Sequence, residues 1–343
     1  MTRTRLIYRG FMPNLLCCDV TLREMPNGDW VVFMLGGGWT EPLPENRLFL
    51  IRSTDRGATW GTPEALVDRT AVPTEVTVIG DTVTLYYLTH RGDFGDWKSW
   101  VTRSRDSGLS WSEAEPAPVL PERSAFRGVL RHSSGTLLLP YQYYPLPMTE
   151  EERLFREDVP LYRSPHVGYQ NGVLRSRDGG ATWEAGGSVS IDVGRWIWSE
   201  LGVAELPDGS VSMLIRVDGS GVLYRAGSAD AGASWTTPRP TDIPNPGSKI
   251  RLFNLPDGRI ALVHNPNPSP GSMNRYPLSL WISDDGMKSW AWREDLVTFP
   301  GALSYPDGFI EADGRRLHLS FDYNRHDAIY VGVDLPDPSG GAP

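Results

Sequence analysis

One eight-residue pattern constrains what this chain can fold into more than any other feature. The form Ser-x-Asp-x-Gly-x-Ser/Thr-Trp occupies Ser53–Trp60, Ser104–Trp111, Ser176–Trp183 and Ser228–Trp235. A degraded fifth copy, Ser283–Trp290, keeps Ser283, Asp285 and Trp290 but carries Met287 where glycine is expected. Successive serines lie 51, 72, 52 and 55 residues apart. Each copy reads as a tight turn in which Asp accepts local backbone N–H groups, Gly takes the positive-φ corner and Trp packs beneath. Recurrence at a period of about 50 residues is the mark of a repeat architecture.

A second repeat interleaves with the first. Turn glycines at Gly28, Gly80, Gly135, Gly209, Gly258 and Gly314 each join two short apolar segments, such as those ending in Trp30-Val31-Val32-Phe33-Met34-Leu35 and Ile260-Ala261-Leu262-Val263-His264. Composition and turn chemistry both read as hairpins. Six hairpins, five followed by the aspartate turn, predict an all-β chain built as a six-bladed β-propeller, since radial repetition protects sheet edges. The sixth blade lacks the aspartate turn, so the N-terminal segment around Arg5-Leu6-Ile7-Tyr8 is expected to complete it and close the ring. The one long spacing places an insertion at about 143–170 in blade three, with a short capped helix expected over 149–156. Residues 1–343 then form a single propeller domain, although a chain this long otherwise suggests about two domains.

Composition removes several classes of function. The formal charge is −9, from 33 Lys+Arg against 42 Asp+Glu, and no basic patch stands out, so a nucleic-acid partner is not expected. No apolar run approaches the roughly 18 residues that signal a spanning helix, so no membrane partner is expected either. The only cysteines, Cys17 and Cys18, are adjacent, which leaves neither a disulfide framework nor a Cys-based zinc site. The six histidines show no spacing of a metal triad, so neither a metal nor another cofactor is expected. The start Met1-Thr2-Arg3-Thr4-Arg5 is basic but lacks a following apolar stretch, which favours a cytoplasmic location.

Equal repeats allow residues to be compared at equal offsets. Nine positions before the hairpin glycines stand Asp19, Ala71, Phe126, Glu200, Lys249 and Tyr305. A pure packing layer would be apolar in all six blades, so a ring mixing ionisable and apolar groups is a plausible site floor around the axis. Seven positions after the glycines stand Leu35, Tyr87, Gln142, Arg216, Asn265 and Phe321, again partly polar. A tyrosine hydroxyl needs a neighbouring carboxylate to act as nucleophile near neutral pH, and Glu200 and Tyr305 share one depth.

From Pro13 to Val333 the chain resembles the sialidase (neuraminidase) superfamily of six-bladed propellers with Asp-box, or BNR, repeats. The run Trp198-Ser199-Glu200-Leu201-Gly202-Val203-Ala204-Glu205 leading to Arg216 is similar to the family segment carrying the catalytic glutamate and the second carboxylate-binding arginine. Arg275 resembles the third arginine, and Tyr305 in Ser304-Tyr305-Pro306 the nucleophilic tyrosine. The resemblance implies an exo-glycoside hydrolase that removes a terminal, acidic sugar from a glycan with a Tyr305/Glu200 pair. Asp19, Asp93 and Glu41 are the candidates for the acid. Arg216, Arg275, Lys249, Arg251 and Arg127 are the candidate substrate-binding cations. The family's Arg-Ile-Pro signature appears as Phe11-Met12-Pro13, so the first arginine is missing. A polysaccharide lyase acting on uronic-acid glycans and a carbohydrate-binding propeller without chemistry are the competing readings.

Overall fold

A computed structural model describes residues 3–91, 97–144, 170–193 and 197–338. Six antiparallel sheets follow one another along the chain and surround a common axis as the blades of a propeller. The innermost strands are Cys17–Glu24, Ala71–Ile79, Ser124–Phe126, Leu201–Glu205, Arg251–Asn254 and Leu303–Ile310. Blade six uses both ends of the chain: its outermost strand is Arg3–Arg9, antiparallel to Asp327–Asp334. The ring is thus closed by the N-terminal strand, as the missing sixth aspartate turn implied. The expected helix over 149–156 lies outside the described residues. On either side of it, Tyr143 and Gln170 pair as neighbours in blade three.

Burial within a blade falls from the axis outward, and the residue pattern follows. In blade one the second strand, Trp30–Gly36, is buried along its whole length, the third, Arg47–Ser53, is buried mainly at alternate positions, and the fourth is exposed. Inner strands are covered on both faces by the adjacent blades, so they read as continuous apolar runs. Outer strands have one wet face and recover the period of two.

All six hairpin glycines take positive φ, from 57° at Gly80 to 88° at Gly258. The aspartate turns share one bonding scheme. In the first, Ser53 Oγ accepts from Gly57 N–H at 2.8 Å and donates to Asp55 Oδ1 at 2.8 Å. Asp55 also accepts from the Thr59 N–H and hydroxyl at 2.8 and 2.6 Å. The degraded copy keeps this scheme, with Met287 at φ 60° donating its N–H to Ser283 Oγ. Hydroxyl and backbone donors from Thr59, then Ser53, hold the Asp55 carboxyl at about 2.

Below the inner strands' midpoints the axis is filled by charge rather than hydrocarbon. Arg23 of blade one reaches Glu75 of blade two at 2.7 Å and Asp307 of blade six at 2.8 Å. From blade five, Arg251 lies 3.6 Å from Glu75 and 3.4 Å from Asp307, and Lys249 lies 3.7 Å from Asp307. Blade three adds the Gly128 N–H, which donates to Glu75 at 2.5 Å. A Cβ on Gly128, whose φ is 26°, would stand 1.9 Å from the Arg251 guanidinium and displace it from the network. Burial opposes ionisation of Asp307, but Arg23, Arg251 and Lys249 together outweigh it and hold the carboxyl low.

Two outcomes follow for stability. Removing one member of a buried ion network strands its partners, at a cost of about 3–5 kcal/mol. Asp307→Ala is therefore expected to lower the unfolding free energy in urea by that order, and a loss below about 1 kcal/mol would show the network to be dispensable. Asp55, whose carboxyl is lowered in the folded state, contributes stability that is complete above pH 4 and fades as the pH falls toward 2. Asp55→Ala should lower the melting temperature at pH 6 and much less at pH 2; an equal loss at both would refute the turn's electrostatic role.

Candidate active site

In an antiparallel blade, the turns joining strands one to two and three to four share one face of the ring. The loops joining strands two to three, with the starts of the innermost strands, share the other. Glycine hairpins and aspartate turns therefore all lie on the first face, away from the central cavity. Residues of the second face surround a cavity of about 120 Å³, and Asp19, Glu200 and Tyr305 line it together.

The shared offset brings these three together but fails in other blades, for a local reason. Side chains alternate with period two, so a one-residue bulge changes which residue faces the axis. Pairing slips between Cys18 and Thr21 in blade one and between Ser304 and Asp307 in blade six. At these bulges Asp19 and Tyr305 take φ of 51° and 54°. In blade two the slip falls between Pro73 and Glu75, and Thr74 lines the cavity in place of Ala71. In blade three Ala125 and Arg127 line it, while Phe126 packs against Tyr86.

Lys249 and Arg251 require correction as substrate-binding residues. Neither lines the cavity; both belong to the axial ion network beneath it. Lys249 instead supports the floor, its ammonium 5.7 Å from the centre of the Tyr305 ring. The expected cations Arg216, Arg275 and Arg127 do line the cavity, as does Glu41. Asp93 lies outside the described residues.

Charge pairing sets the protonation of each group. Tyr305 Oη donates to Glu200 Oε1 at 3.4 Å. Burial, then the Glu200 and Asp19 charges, push the phenol well above its ordinary value, so it rests protonated. Burial also pushes Glu200 up, but Arg216, Arg127 and Arg275 outweigh it and hold the carboxyl below its ordinary value. Arg216 Nη1 donates to both Glu200 oxygens at 3.1 and 2.9 Å, and its Nε donates to Asp218 at 2.7 Å. Arg275 is held by Ser304 Oγ at 3.2 Å and the Gly247 carbonyl at 3.0 Å. Asn265, at the second offset, accounts for that placement: its amide donates to the carbonyls of Arg275, Pro277 and Leu303.

Asp19 has the opposite character to Glu200. Burial raises its carboxyl, Glu41 adds to the effect, and Arg127, 3.7 Å away, only partly offsets it. Cys18 Sγ lies 3.6 Å from Asp19 and 3.9 Å from Glu41, so three potential metal-ligand groups meet here. Burial holds the Cys18 thiol protonated, and Glu41 is paired with Arg325. The rest of the wall is apolar at Val72, Leu88, Ala125 and two tryptophans, Trp97 and Trp198, stacked at 6.0 Å, and polar at Thr74, His90 and Gln142.

Two residues of this site escaped the sequence reading. Arg325 lines the cavity from the turn between the second and third strands of blade six. Asp322, fully buried behind it, has a carboxyl pushed up to about 7 by burial and by Asp19, against the lowering effect of Arg325 and Arg275. The sequence signal for both is the polar run Asp322-Tyr323-Asn324-Arg325-His326-Asp327, which reads equally well as a closing turn.

The fold and site together define a propeller of the sialidase architecture. A family model described as the BNR repeat-like domain matches residues 49–319, and the chain belongs to that family. No curated protein matches the chain. Among solved structures it is similar to a protein of unknown function from Dyadobacter fermentans, at 19% identity and TM-score 0.73, over 97% of this chain and 99% of that one. It is also similar to the Hadza microbial sialidase Hz136, at 14% identity and TM-score 0.71, over 94% of this chain and 66% of that one. A Trypanosoma rangeli sialidase in complex with 2,3-difluorosialic acid, described as a covalent intermediate, aligns at 14% identity and TM-score 0.66. It covers 96% of this chain, which spans only 58% of that protein's length. At these identities the likeness is one of fold. Among the described residues, no helix is long and apolar enough to cross a membrane.

Asp322 yields a test of the site's electrostatics. Its raised carboxyl favours the folded state below pH 4, and that advantage is lost as the pH rises through about 7. Asp322→Asn should therefore raise the unfolding free energy in urea more at pH 8 than at pH 4, by on the order of a few kcal/mol. Equal shifts at the two pH values would show that the carboxyl is not raised.

Proposed function

We propose that this chain is an exo-glycoside hydrolase of the sialidase type, removing a terminal acidic sugar from a glycan. The observation that carries the reading is the 3.4 Å contact between Tyr305 Oη and Glu200 inside a cavity lined by four arginines, Arg127, Arg216, Arg275 and Arg325. Tyrosine nucleophiles are a known exception to the two-carboxylate pattern of glycosidases. Here the carboxylate serves the tyrosine instead of the sugar. The arginine charges hold Glu200 ready to accept a proton, and burial keeps Asp19 ready to donate one.

The step follows from those protonation states. Tyr305 Oη attacks the anomeric carbon as its proton passes to Glu200 Oε1, and the bond to the leaving oxygen breaks as Asp19 protonates it. Water, deprotonated by Asp19, then attacks the same carbon; the tyrosyl–sugar bond breaks and Glu200 returns its proton to the phenol oxygen. Two displacements give net retention at the anomeric carbon. Arg216 and Arg275 hold the substrate carboxylate by forked hydrogen bonds.

Tyr305→Phe and Glu200→Gln should each lower turnover by roughly 10³-fold while the protein stays folded, because a nucleophile and its base act as a unit. The double variant should be scarcely worse than either single one. Assays of aryl glycosides of sialic and glucuronic acid, followed with acidic polysaccharides, check this. Near-normal turnover by Tyr305→Phe would end the reading. Release of an unsaturated, ultraviolet-absorbing product would assign the site to a lyase, and binding without any turnover to a carbohydrate-binding propeller.

A further inference from the structure

Cys18 and Asp19 are consecutive residues whose side chains meet, which a regular strand does not allow. Neighbouring residues of a strand point to opposite faces. Here Cys18 is the last paired residue before the blade-one bulge, opposite Leu35, and pairing resumes only at Thr21. Asp19 sits in that slip at φ 51°, a region aspartate tolerates better than most residues. Its carboxyl is thereby turned back on the preceding side chain, and Cys18 Sγ lies 3.6 Å from Asp19 Oδ2. The thiol itself is fixed. It is fully buried in one apolar cluster with Leu16, Leu35, Val72 and Leu88, and the Cys17 N–H donates to the Arg325 carbonyl at 3.0 Å.

Among the described residues, this thiol is the only group hydrogen-bonded to the Asp19 carboxyl. Oδ1 has no hydrogen-bond partner and lies 3.7 Å from Arg127. The charges of Glu41, Glu200, Arg127 and Lys249 act on Asp19 without such a bond. Other carboxylates of the chain have far stronger donors. Glu200 accepts from Arg216 at both oxygens, and Asp307 accepts from Arg23 at 2.8 Å and from the Gly308 N–H at 2.6 Å. Asp55 accepts hydroxyl and backbone donors that hold it at about 2. Such donors fix a carboxyl in its ionised form, whereas S–H is a weak donor. An acid that must rest protonated is thus given a donor too weak to hold it ionised.

We propose that Cys18 is the positioning residue of the acid: its thiol donates the hydrogen bond that holds Asp19 toward the leaving oxygen. The role rests on the hydrolase reading for its reaction, although the contact does not depend on which group attacks the sugar. The sulfur keeps its hydrogen throughout. The proton given to the leaving oxygen, and later taken from water, is the carboxyl's own. Glu41 lies 3.9 Å from the same sulfur, but it is paired with Arg325, which leaves the nearer Asp19 as the thiol's acceptor.

Two measurements test this, the first without substrate. In the infrared, the S–H band lost in Cys18→Ala should shift in Asp19→Ala, while the band of Cys17, which donates to Met34 Sδ at 3.5 Å, stays in place. A Cys18 band unmoved in Asp19→Ala would overturn the contact. The second compares methyl and 4-nitrophenyl glycosides of N-acetylneuraminic and glucuronic acid, because a methoxide leaving group needs the acid far more than a nitrophenolate does. Cys18→Ala should lower kcat on the methyl glycoside roughly tenfold and on the 4-nitrophenyl glycoside by about twofold or less. Cys18→Ser, which restores a donor of similar size, should recover part of the loss on the methyl glycoside. Equal effects on the two glycosides, or none, would make Cys18 a packing residue and leave the hydrolase reading standing. No turnover of any glycoside by the parent protein would end both.

Discussion

The ion network on the axis is the interaction on which the rest of this structure depends. The inner strands of a propeller surround a central channel, and side chains must fill it. This chain fills that space with Arg23, Glu75, Lys249, Arg251 and Asp307, joined by the Gly128 N–H, so that five of six blades meet in one set of charge-assisted bonds. Buried charge is weak evidence for extra stability, since desolvation consumes most of the attraction. What such a network does supply is register: each inner strand must present the right residue at the right height.

Register at the axis is what makes the cavity above it possible. Lys249 joins the two layers, its ammonium near both Asp307 and the Tyr305 ring, while the Arg275 guanidinium carbon lies 5.8 Å from that ring. The tyrosine is therefore held between two cations that favour electron-rich aromatic faces. Above it, arginines partition the carboxylates. Glu200, flanked by guanidinium groups, stays ionised; Asp19 is raised by burial and by Glu41, which Arg127 only partly offsets. The two carboxylates are set apart by surroundings rather than by residue type, an arrangement that acid–base chemistry needs at a single pH.

Much of the fold was legible because its determinants are local. A glycine corner, an aspartate that bonds its own turn and a tryptophan beneath it depend on eight consecutive residues, and five copies specify a period. Closure by the N-terminal strand followed from the lack of a sixth turn. The site was legible only where the offset rule survives. Asp19, Glu200 and Tyr305 share the offset and meet, but bulges put Thr74 in place of Ala71, and Lys249 and Arg251 fall one layer too deep for substrate. The pairing of Arg325 with Glu41 was harder still. They lie on connecting loops, 284 residues apart, and no local pattern records that closing the ring brings them together.

The account turns on Tyr305 as the attacking group, and trapping the covalent intermediate tests it most directly. The protein would be incubated with 2,3-difluorosialic acid and, in parallel, with a 2-fluoro glucuronyl fluoride, then digested and mapped by tandem mass spectrometry. The account predicts one sugar adduct per chain, on the phenol oxygen of Tyr305, abolished in Tyr305→Phe. An adduct on the carboxylate of Asp19 or Glu200, or turnover of both reagents without any adduct, would contradict it.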